Sequence, residues 1–448
     1  MLSPTLAQER AEALVRLARA AGADAADAAY TADASESVSM RLGLLEDVGR
    51  AENERIALRA FVGQRSASIG TTDLSDAALA ELAERAVAMA RLAPEDRFAG
   101  LAGAELLLRG APPELDLIDA EEPGPEWLRD TALAAEDAAR APAGITNSEG
   151  ASASLGRAML ALVTSQGFSG VYAATSRAIS VGVVAGEGGE MQRDSAWRAT
   201  RHLADLPAPE VIGALAAERT LARLRPGRVR GGAMPVVFDP RIGGTLVGHL
   251  AGAINGPAIA RRASFLVGRE GAQLFPAGIT IVDDPHRARA LRSRPFDGEG
   301  LPTRRRELVA DGRLTGWLLD CASARQLGLA PTGHAARGGS GIPMVSTSNV
   351  HLAAGSASVA ELIGDIAEGV YVTELIGQGV NMVTGDYSRG AAGFRIERGE
   401  IARPIAEFTI AGTLPEMFAQ LSVANDLEWH RMVNVPTIRI DGMTVAGE

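Results

Sequence analysis

The chain has 448 residues, a net charge of −11 and 46% hydrophobic residues, so it is long enough for two to four domains with packed cores. An acidic chain is a poor general binder of nucleic acid or anionic membranes, and we expect neither kind of partner. The sequence contains no lysine, which excludes Schiff-base catalysis and a Walker-A nucleotide site. Its single cysteine, Cys321, excludes an intrachain disulfide and cysteine-rich metal sites.

The expected location of the protein is the cytoplasm. One free cysteine suits a reducing compartment. Charged residues, among them Glu9, Arg10 and Arg16, interrupt the first 22 positions and break any signal-peptide core. The long uncharged stretches are only weakly apolar, so no membrane-spanning helix is predicted.

The first 112 residues are predicted to form a small α/β domain. Residues 5–21 show the periodicity of an amphipathic helix, and residues 25–71 are typical of strands. A second helix is predicted to follow Ser75, a residue type that caps helix starts. The resulting order is α-β-β-α, and a segment rich in proline and acidic residues, 111–125, indicates a boundary.

The next unit, 113–228, is predicted to be a middle domain. Helices are expected at about 126–140 and 208–223, and the segment between them, roughly 145–200, is strand-rich. A glycine- and arginine-rich linker, 226–232, ends the unit.

Residues 229–448 are predicted to form a C-terminal mixed domain with largely antiparallel sheets. Asp239-Pro240 is a strong helix start, and the helix is expected to reach Asn255. Asp311-Gly312 and Arg398-Gly399 indicate hairpin turns. Thr413 begins a capping box that predicts a helix through about residue 423. The overall fold class is therefore predicted to be α+β.

Few residues carry chemistry by pattern alone. No two of the six histidines stand at i, i+4, and no G-x-S-x-G nucleophile elbow is present. His249 lies on the helix predicted after Asp239, where a packed, hydrogen-bonded histidine is the simpler interpretation. Asp283-Asp284 could bind a divalent ion or simply end a strand. Cys321 has no evident histidine partner for a nucleophilic role.

Glycine-rich strings recur in the C-terminal part, at 336–343, 377–381 and 385–394. Glycine allows another backbone to approach closely, so an extended peptide could add to a sheet edge there. Tight turns within the fold are the alternative interpretation.

These strings together resemble the TldD/PmbA family, also described as modulators of DNA gyrase and treated as metallopeptidases that carry out proteolysis. The matching stretches are RPFDGEGLPT (294–303), the Asp311-Gly312 hairpin, 338–349, 384–405 and PTIRIDGMTV (436–445). The N-terminal unit is also similar to the first domain of that family. The resemblance covers nearly the whole chain and is most specific in its C-terminal half.

One branch of the family, TldD, carries the zinc motif H-E-x-x-x-H and a cysteine near its C-terminus. Laid on this chain, the motif falls on 244–249, where Gly244 and Thr245 replace the first histidine and the glutamate. His249 corresponds to the last histidine, and 427–436 contains no cysteine. His430 could stand in as a ligand, but a catalytic zinc needs about three ligands and usually a carboxylate base. The departure indicates the other branch, PmbA/TldE.

The resemblance implies a non-catalytic subunit of a heterodimeric peptidase that degrades or processes unfolded or short peptides. It implies no catalytic residue and no metal in this chain, with zinc expected only in a TldD-like partner. The expected partners are that catalytic subunit or a second copy of this chain, together with extended peptide substrates. Candidate peptide-cleft residues are His249, Asp386, Tyr387, Ser388 and Arg389.

Two other functions remain open at this point. The chain could be an independent homodimeric peptide-binding protein without peptidase activity. It could also be an enzyme of unrelated chemistry that uses His249 with Asp386, Tyr387 or Ser388. A direct role on DNA is disfavoured by the net charge of −11 and by the absence of a basic helical stripe in the sequence.

Overall fold

The N-terminal elements follow the predicted alternation of helices around strands. The protein is described by a computed structural model over residues 1–338 and 340–447. In chain order the first elements are α1 (Pro4–Ala20), β1 (Ala25–Arg41), β2 (Leu44–Val62), β3 (Arg65–Thr71) and α2 (Asp76–Leu92). The pattern predicted two strands here, whereas β2 and β3 are separate because Gly63, at φ 58°, turns the chain between them.

The middle elements extend the same sheet. They are α3 (Pro125–Arg140), β4 (Ile145–Thr164), β5 (Ser169–Ala185), β6 (Gln192–Thr200) and α4 (Pro209–Ala222). The strand order is β3-β2-β1-β4-β5-β6, and all of these neighbours are antiparallel. Because β1 pairs directly with β4, one sheet joins the segments on both sides of the linker at 111–125.

The two faces of this sheet have different neighbours. Side chains alternate along a strand, and Tyr30 of β1 packs with Leu14 of α1 and Leu82 of α2. Ala29, the preceding residue, lies on the opposite face and packs with Phe296 of the C-terminal part. The sheet therefore lies between a layer of helices and the C-terminal domain.

The linker between α2 and α3 crosses that second face. Leu107 is buried in the cluster that contains Phe296, and Leu115 and Leu117 pack against Ala174 of β5. The carbonyl of Leu117 accepts a hydrogen bond of 2.9 Å from the main-chain N–H of Thr175. This proline- and acid-rich segment is thus built into the structure between sheet and C-terminal domain.

The C-terminal domain is a mixture of short helices and strands. Its elements are β7 (Gly232–Phe238), α5 (Pro240–Ala253), α6 (Gly256–Ala260), β8 (Ile281–Asp283), β9 (Arg306–Ala310), β10 (Arg313–Leu314), α7 (Cys321–Leu327), β11 (Ala335–Arg337), β12 (Pro343–Val345), β13 (Val350–Leu352), α8 (Val359–Ile363), β14 (Glu368–Ile376), β15 (Asp386–Glu397), β16 (Glu400–Thr413), α9 (Leu414–Ala419), β17 (Leu421–Val423), β18 (Val433–Asn434) and β19 (Ile438–Ala446). Together with the N-terminal layers, they confirm the α+β class.

The larger C-terminal sheet closes on itself. Its order is β16-β15-β14-β7-β19-β17, and β19 also pairs with β16. The β7–β14 pair is parallel, whereas the other pairs of this sheet are antiparallel. A second sheet, β10-β9-β8-β13-β18, packs in the same core, and its β13–β18 pair is parallel. The prediction of largely antiparallel sheets is confirmed.

The helix that begins after Thr413 is shorter than predicted. The side chain of Thr413 accepts a hydrogen bond from the Glu416 N–H, as a capping box requires, but α9 ends at Ala419. Leu421–Val423 pair instead with β19, so strand pairing overrides the helical pattern of those residues. Across the described residues, no helix combines the length and apolarity needed to cross a membrane.

Candidate functional site

The candidate site begins at the start of helix α5, where the zinc motif of the related branch falls. Asp239 caps this helix: its carboxylate accepts a hydrogen bond of 2.8 Å from the Arg241 N–H, and Pro240 occupies the first turn. The main-chain N–H of Asp239 donates to the carbonyl of Val372 at 3.0 Å. The predicted helix start is confirmed, and strand β14 fixes its position.

His249 lies in the second half of α5, half-buried and without a hydrogen bond at Nε2 among the described residues. Its ring packs edge-on against Tyr387, with ring centroids 6.1 Å apart and an interplanar angle of 75°. Burial lowers the pKa of His249, and the positive charge of Arg389 lowers it further. The imidazole is therefore neutral at pH 7, when it carries one N–H and one acceptor nitrogen.

Strand β15 divides the other four candidates into two pairs. Tyr387 and Arg389 are buried, whereas Asp386 and Ser388 are exposed, because successive side chains point to opposite faces of a strand. Tyr387 and Arg389 lie on the side of His249. Asp386 and Ser388 lie on the other side, so the structure does not bring a hydroxyl or a carboxylate of that pair to the imidazole.

The polar atoms of the buried pair make few hydrogen bonds. The Tyr387 hydroxyl is buried and makes no hydrogen bond within the described residues, and burial raises the pKa of this phenol. Arg389 donates from Nε to the carbonyl of Ile376 at 3.4 Å. An acid–base role for Tyr387 with His249 has no hydrogen bond to support it.

The exposed pair lies beside the glycine-rich segment 377–381. The Ser388 N–H donates to the carbonyl of Gly379 at 2.7 Å. A Cβ on Gly379 would lie 1.9 Å from the Ser388 carbonyl oxygen, which requires glycine at that position. Similarly, a Cβ on Gly341 would lie 2.3 Å from the Cβ of Ala57. These two glycines therefore allow close contact with strands of this chain, β15 and β2.

The donor set on α5 does not fit a catalytic zinc ion. Gly244 offers no ligand, and a Cβ there would lie 3.4 Å from Cγ1 of Val433. The Thr245 hydroxyl donates to the carbonyl of Ile242 at 2.6 Å, so the helix already uses it. His249 leaves a single imidazole, whereas catalytic zinc sites hold the metal with about three protein ligands.

His430, the possible substitute ligand, belongs to a cationic cluster. Its Nδ1 lies 3.4 Å from a carboxylate oxygen of Glu428. Burial, together with the charges of Arg198, Arg431 and Arg219, lowers the pKa of His430 to about 4. Within residues 1–338 and 340–447, no three side chains of His, Cys, Asp or Glu converge as a metal site requires.

Asp283, considered above as a ligand for a divalent ion, lies at the end of strand β8 and has partners within the protein. Asp283 is buried and accepts hydrogen bonds from the Ser348 N–H and hydroxyl, at 2.8 and 2.6 Å. His334 Nε2 lies 3.0 Å from its other oxygen. Burial alone would raise the pKa of Asp283, but the hydrogen bonds of His334 and Ser348 and the charge of Arg294 outweigh it, and the pKa is lowered. The carboxylate is thus satisfied by the protein itself.

Cys321 is also structural. It is buried beside Glu299 and Asp297, and both burial and the charge of Glu299 raise the pKa of its thiol. A thiol that stays protonated is a poor nucleophile, as the missing histidine partner suggested.

A buried charge network between the domains was missed by the sequence analysis. Asp27 of β1 accepts hydrogen bonds from Arg59 of β2 and from Arg337 of β11. A second buried group, Asp297 and Glu299, follows Arg294 in the RPFDGEG stretch. The RPFDGEG motif could have indicated Asp297 and Glu299, because both residues lie within it. No local pattern connects residues as distant in sequence as Asp27 and Arg337.

The chain belongs to the PmbA/TldA metallopeptidase family. The model of the C-terminal domain of that family matches residues 231–447, and the models of its domain 1 and central domain match 26–90 and 118–224. The predicted resemblance to the TldD/PmbA family is therefore confirmed.

Relatives place the chain near the PmbA/TldE branch. A protein of Escherichia coli O157:H7 named Metalloprotease PmbA is 39% identical over 427 residues, which cover 95% of this chain and 93% of that protein. The crystal structure of a proposed modulator of DNA gyrase from Bacteroides thetaiotaomicron is 25% identical, covers 100% of both chains and superposes with a TM-score of 0.92. The crystal structure of TldE from Thermococcus kodakarensis, 22% identical, has the same fold with a TM-score of 0.87 over 98% of this chain and 100% of that one.

Proposed function

We propose that this chain is the non-catalytic subunit of a heterodimeric zinc peptidase that degrades or processes unfolded or short peptides. In this proposal a TldD-like subunit holds the zinc ion and cleaves the peptide. This chain completes the complex and contributes a peptide-binding surface that includes His249.

The observation that carries the proposal is the donor set at the start of α5. Gly244 supplies no ligand, the Thr245 hydroxyl is bonded to the helix backbone, and His249 packs against Tyr387. Zinc-dependent hydrolysis needs a ligand set and a base for the attacking water. A helix with one imidazole supplies neither, which favours cleavage by a second polypeptide.

An exposed apolar patch supports the existence of a partner. The tip of the β1–β2 hairpin carries Leu42 in the turn and Leu44, Leu45 and Val48 at the start of β2, each about half or more exposed, and Leu44 reaches 73%. We call these four residues the hairpin patch. Contiguous exposed apolar side chains at one site are typical of a protein interface rather than of a free surface.

The hairpin patch is held in a fixed position. Glu136 of α3 is buried, and its two carboxylate oxygens accept hydrogen bonds from the N–H groups of Leu42 and Gly43 at 2.7 and 2.8 Å. Burial alone would raise the pKa of Glu136, but hydrogen bonds from Ser148, Gly43 and Leu42 lower it, so the carboxylate is charged at neutral pH. A preformed apolar surface binds a partner with a smaller loss of conformational entropy.

The proposal is tested by purifying this chain alone, the TldD-like chain alone and the two together. The measurements are zinc content by mass spectrometry and cleavage of an unstructured fluorogenic peptide. We expect about one zinc per heterodimer, with cleavage only in the mixture. His249→Ala in this chain should leave the zinc content of the complex unchanged, whereas alanine at a motif histidine of the partner should remove the metal.

Two results would overturn the proposal. One is tightly held, stoichiometric zinc in this chain alone, with cleavage of the peptide. The other is a stable homodimer that binds peptides with an affinity unchanged by the TldD-like chain, which would establish the alternative of an independent peptide-binding protein.

A further inference from the structure

A cavity of about 540 Å³ lies between the N-terminal sheet and the C-terminal domain, away from helix α5. One wall comes from β1, β4 and β5 and includes Ala158, Leu160 and Tyr172. The opposite wall comes from the segment 291–294 and from residues around β11 and β12. Its volume falls within the range of roughly 300–1,000 Å³ that small-molecule sites occupy.

The cavity is strongly cationic. Four arginines line it, namely Arg201, Arg292, Arg294 and Arg337, and Asp33 is the acidic side chain of the lining. Arg337 forms an ion pair with Asp27, which also pairs with Arg59, whereas Asp33 accepts a hydrogen bond from Asn53. Among the residues that the structure describes, Arg201, Arg292 and Arg294 make no ion pair with a carboxylate. Three positive charges therefore line the cavity with no carboxylate of the described residues within ion-pair distance, and the nearest acidic groups to act on Arg294 are the buried Asp283 and Asp297.

Arg294 is the most constrained of the three. It is 8% exposed, and its Nη2 donates to the carbonyl of Ser346 at 2.8 Å. Its Nε is buried and has no hydrogen-bond partner among the described residues. An unpaired donor on a buried cation is costly, because the group has lost its water without gaining an acceptor.

Arg201 is held in place by main-chain oxygens. It donates to the carbonyls of Thr175 at 2.9 Å and Ala290 at 3.4 Å, and also to that of Leu291. Burial lowers the pKa of Arg201, which reflects the cost of keeping this charge away from water. Tyr172 stands close to both Arg201 and Arg294, and its ring packs edge-on against Phe296 at 5.2 Å. The cationic wall is thus fixed before any ligand arrives.

We propose that this cavity binds a small ligand with a carboxylate group, specifically the free C-terminus of a short peptide. Guanidinium groups pair well with carboxylates, and a carboxylate would supply the direct ion-pair partner that Arg201, Arg292 and Arg294 do not have among the described residues. The apolar wall, with Ala158 and Leu160, would take an aliphatic side chain of the same peptide. The site lies wholly within this chain and rests on the proposed function only for the choice of a peptide as the ligand.

The test uses calorimetric titration of the full chain without a partner. The probes are acetyl-Ala-Ala-Leu with a free carboxylate, the same peptide with a C-terminal amide, and inorganic phosphate. We expect saturable binding of the acid, at least about tenfold tighter than that of the amide, because the charge-assisted pairs are lost in the amide. Equal affinities for acid and amide, or binding of phosphate without binding of the acid, would overturn the proposal.

Variants locate the binding. Arg294→Gln should weaken binding of the acid about tenfold or more, whereas Arg85→Gln, an exposed arginine on α2, should leave it unchanged. If Arg294→Gln unfolds the protein, the exposed Arg292→Gln serves in its place and should weaken binding in the same direction. Binding unaffected by either cavity variant would contradict the assignment. Because no TldD-like chain is present, failure here is separate from failure of the proposed heterodimer.

Discussion

Arg337 of β11 and Asp27 of β1 form a buried ion pair across 310 positions of the sequence, with both nitrogens of the arginine fork bonded to the carboxylate at 2.9 and 2.7 Å. The Arg337 side chain is 0% exposed and that of Asp27 is 1% exposed. Arg59 donates two further hydrogen bonds to Asp27, from Nε at 3.2 Å and from Nη2 at 2.6 Å. The N-terminal sheet and the C-terminal domain are therefore connected by a buried Arg337–Asp27 pair, which Arg59, with a side chain 13% exposed, joins from the edge.

Replacing Asp27 should strongly destabilise the protein. Asp27→Asn leaves the buried Arg337 and the largely buried Arg59 without their shared counter-charge, and the loss of one partner of a buried pair costs about 3–5 kcal/mol. The free energy of unfolding from urea denaturation measures the change. Asp33→Asn, an exposed carboxylate on the same strand, is the matched control and should change it by about 0.5 kcal/mol or less.

The same carboxylate gives an acid-dependent contribution to stability. Burial alone would raise the pKa of Asp27, but the charges of Arg337 and Arg59 outweigh it, so the pKa is lowered from 3.8. Because the carboxyl group has a lower pKa in the folded than in the unfolded protein, it stabilises the fold at any pH above its unfolded-state pKa. That stabilisation is lost as the pH falls through the pKa of the folded state. The difference between the wild type and Asp27→Asn should shrink below about pH 4. A constant difference from pH 7 to pH 3 would contradict this account.

A second buried carboxyl group is expected to titrate near neutrality. Burial and the charge of Glu299 raise the pKa of Asp297 to about 7, despite hydrogen bonds from the Leu301 and Glu299 N–H groups. Because the pKa of this group is higher in the folded than in the unfolded protein, its stabilising contribution is complete at a pH below the unfolded-state pKa. The contribution is lost as the pH rises through the pKa of the folded state. Glu299→Gln should lower the pKa of Asp297, as measured by carbon-13 NMR of the carboxyl groups. Glu307→Gln, an exposed carboxylate, is the control and should not shift it.

Removing the Tyr387 hydroxyl should not harm the fold. The hydroxyl is buried without a partner within the described residues, so Tyr387→Phe should be neutral or stabilising by about 1 kcal/mol. Tyr371→Phe is the matched control, because the Tyr371 hydroxyl donates to Asp239 at 3.2 Å, and its loss should cost about 1 kcal/mol. Urea denaturation compares the two variants. Equal destabilisation of both would show that the Tyr387 hydroxyl has a partner in solution.

The hairpin patch should be needed for the partner and not for the fold. Leu44→Ser with Val48→Ser removes two exposed apolar side chains, so binding of a TldD-like chain should weaken by tenfold or more while the melting temperature stays within a few degrees. Leu92→Ser changes an 86% exposed leucine at the end of α2 and serves as the control. Size-exclusion chromatography and calorimetry of the mixture measure the effect. Unchanged binding by the double variant would place the interface elsewhere.

Local chemistry made much of the fold predictable. Ser75 and Asp239 cap helices as their residue types indicate, and Asp311-Gly312 and Arg398-Gly399 turn hairpins. The end of α9 could not be predicted in the same way, because residues 421–423 are drawn into a strand by a partner that lies later in the chain. Likewise, nothing near β1 indicates that it pairs with β4.

The candidate site was predictable only in part. The position of His249 on a helix follows from the pattern after Asp239, and the alternation along β15 separates Tyr387 and Arg389 from Asp386 and Ser388. The packing of His249 against Tyr387 depends on how α5 lies against β15, and no local spacing encodes that contact. The cationic cavity was missed for the same reason, since its walls come from distant segments.

The burial of the linker between α2 and α3 bears on how the protein responds to proteases. Glu114 is exposed and open to cleavage, yet the chain is packed on either side of it. Leu107 lies in the cluster that contains Phe296, and Leu115 and Leu117 pack against Ala174 of β5. The carbonyl of Leu115 also accepts a hydrogen bond of 3.0 Å from the Arg289 N–H of the C-terminal domain. A protease that cuts at this point would produce two fragments on a denaturing gel but a single species under native conditions. Two fragments on a denaturing gel would thus show that the peptide bond is accessible to the protease. They would not show that the two halves of the protein separate.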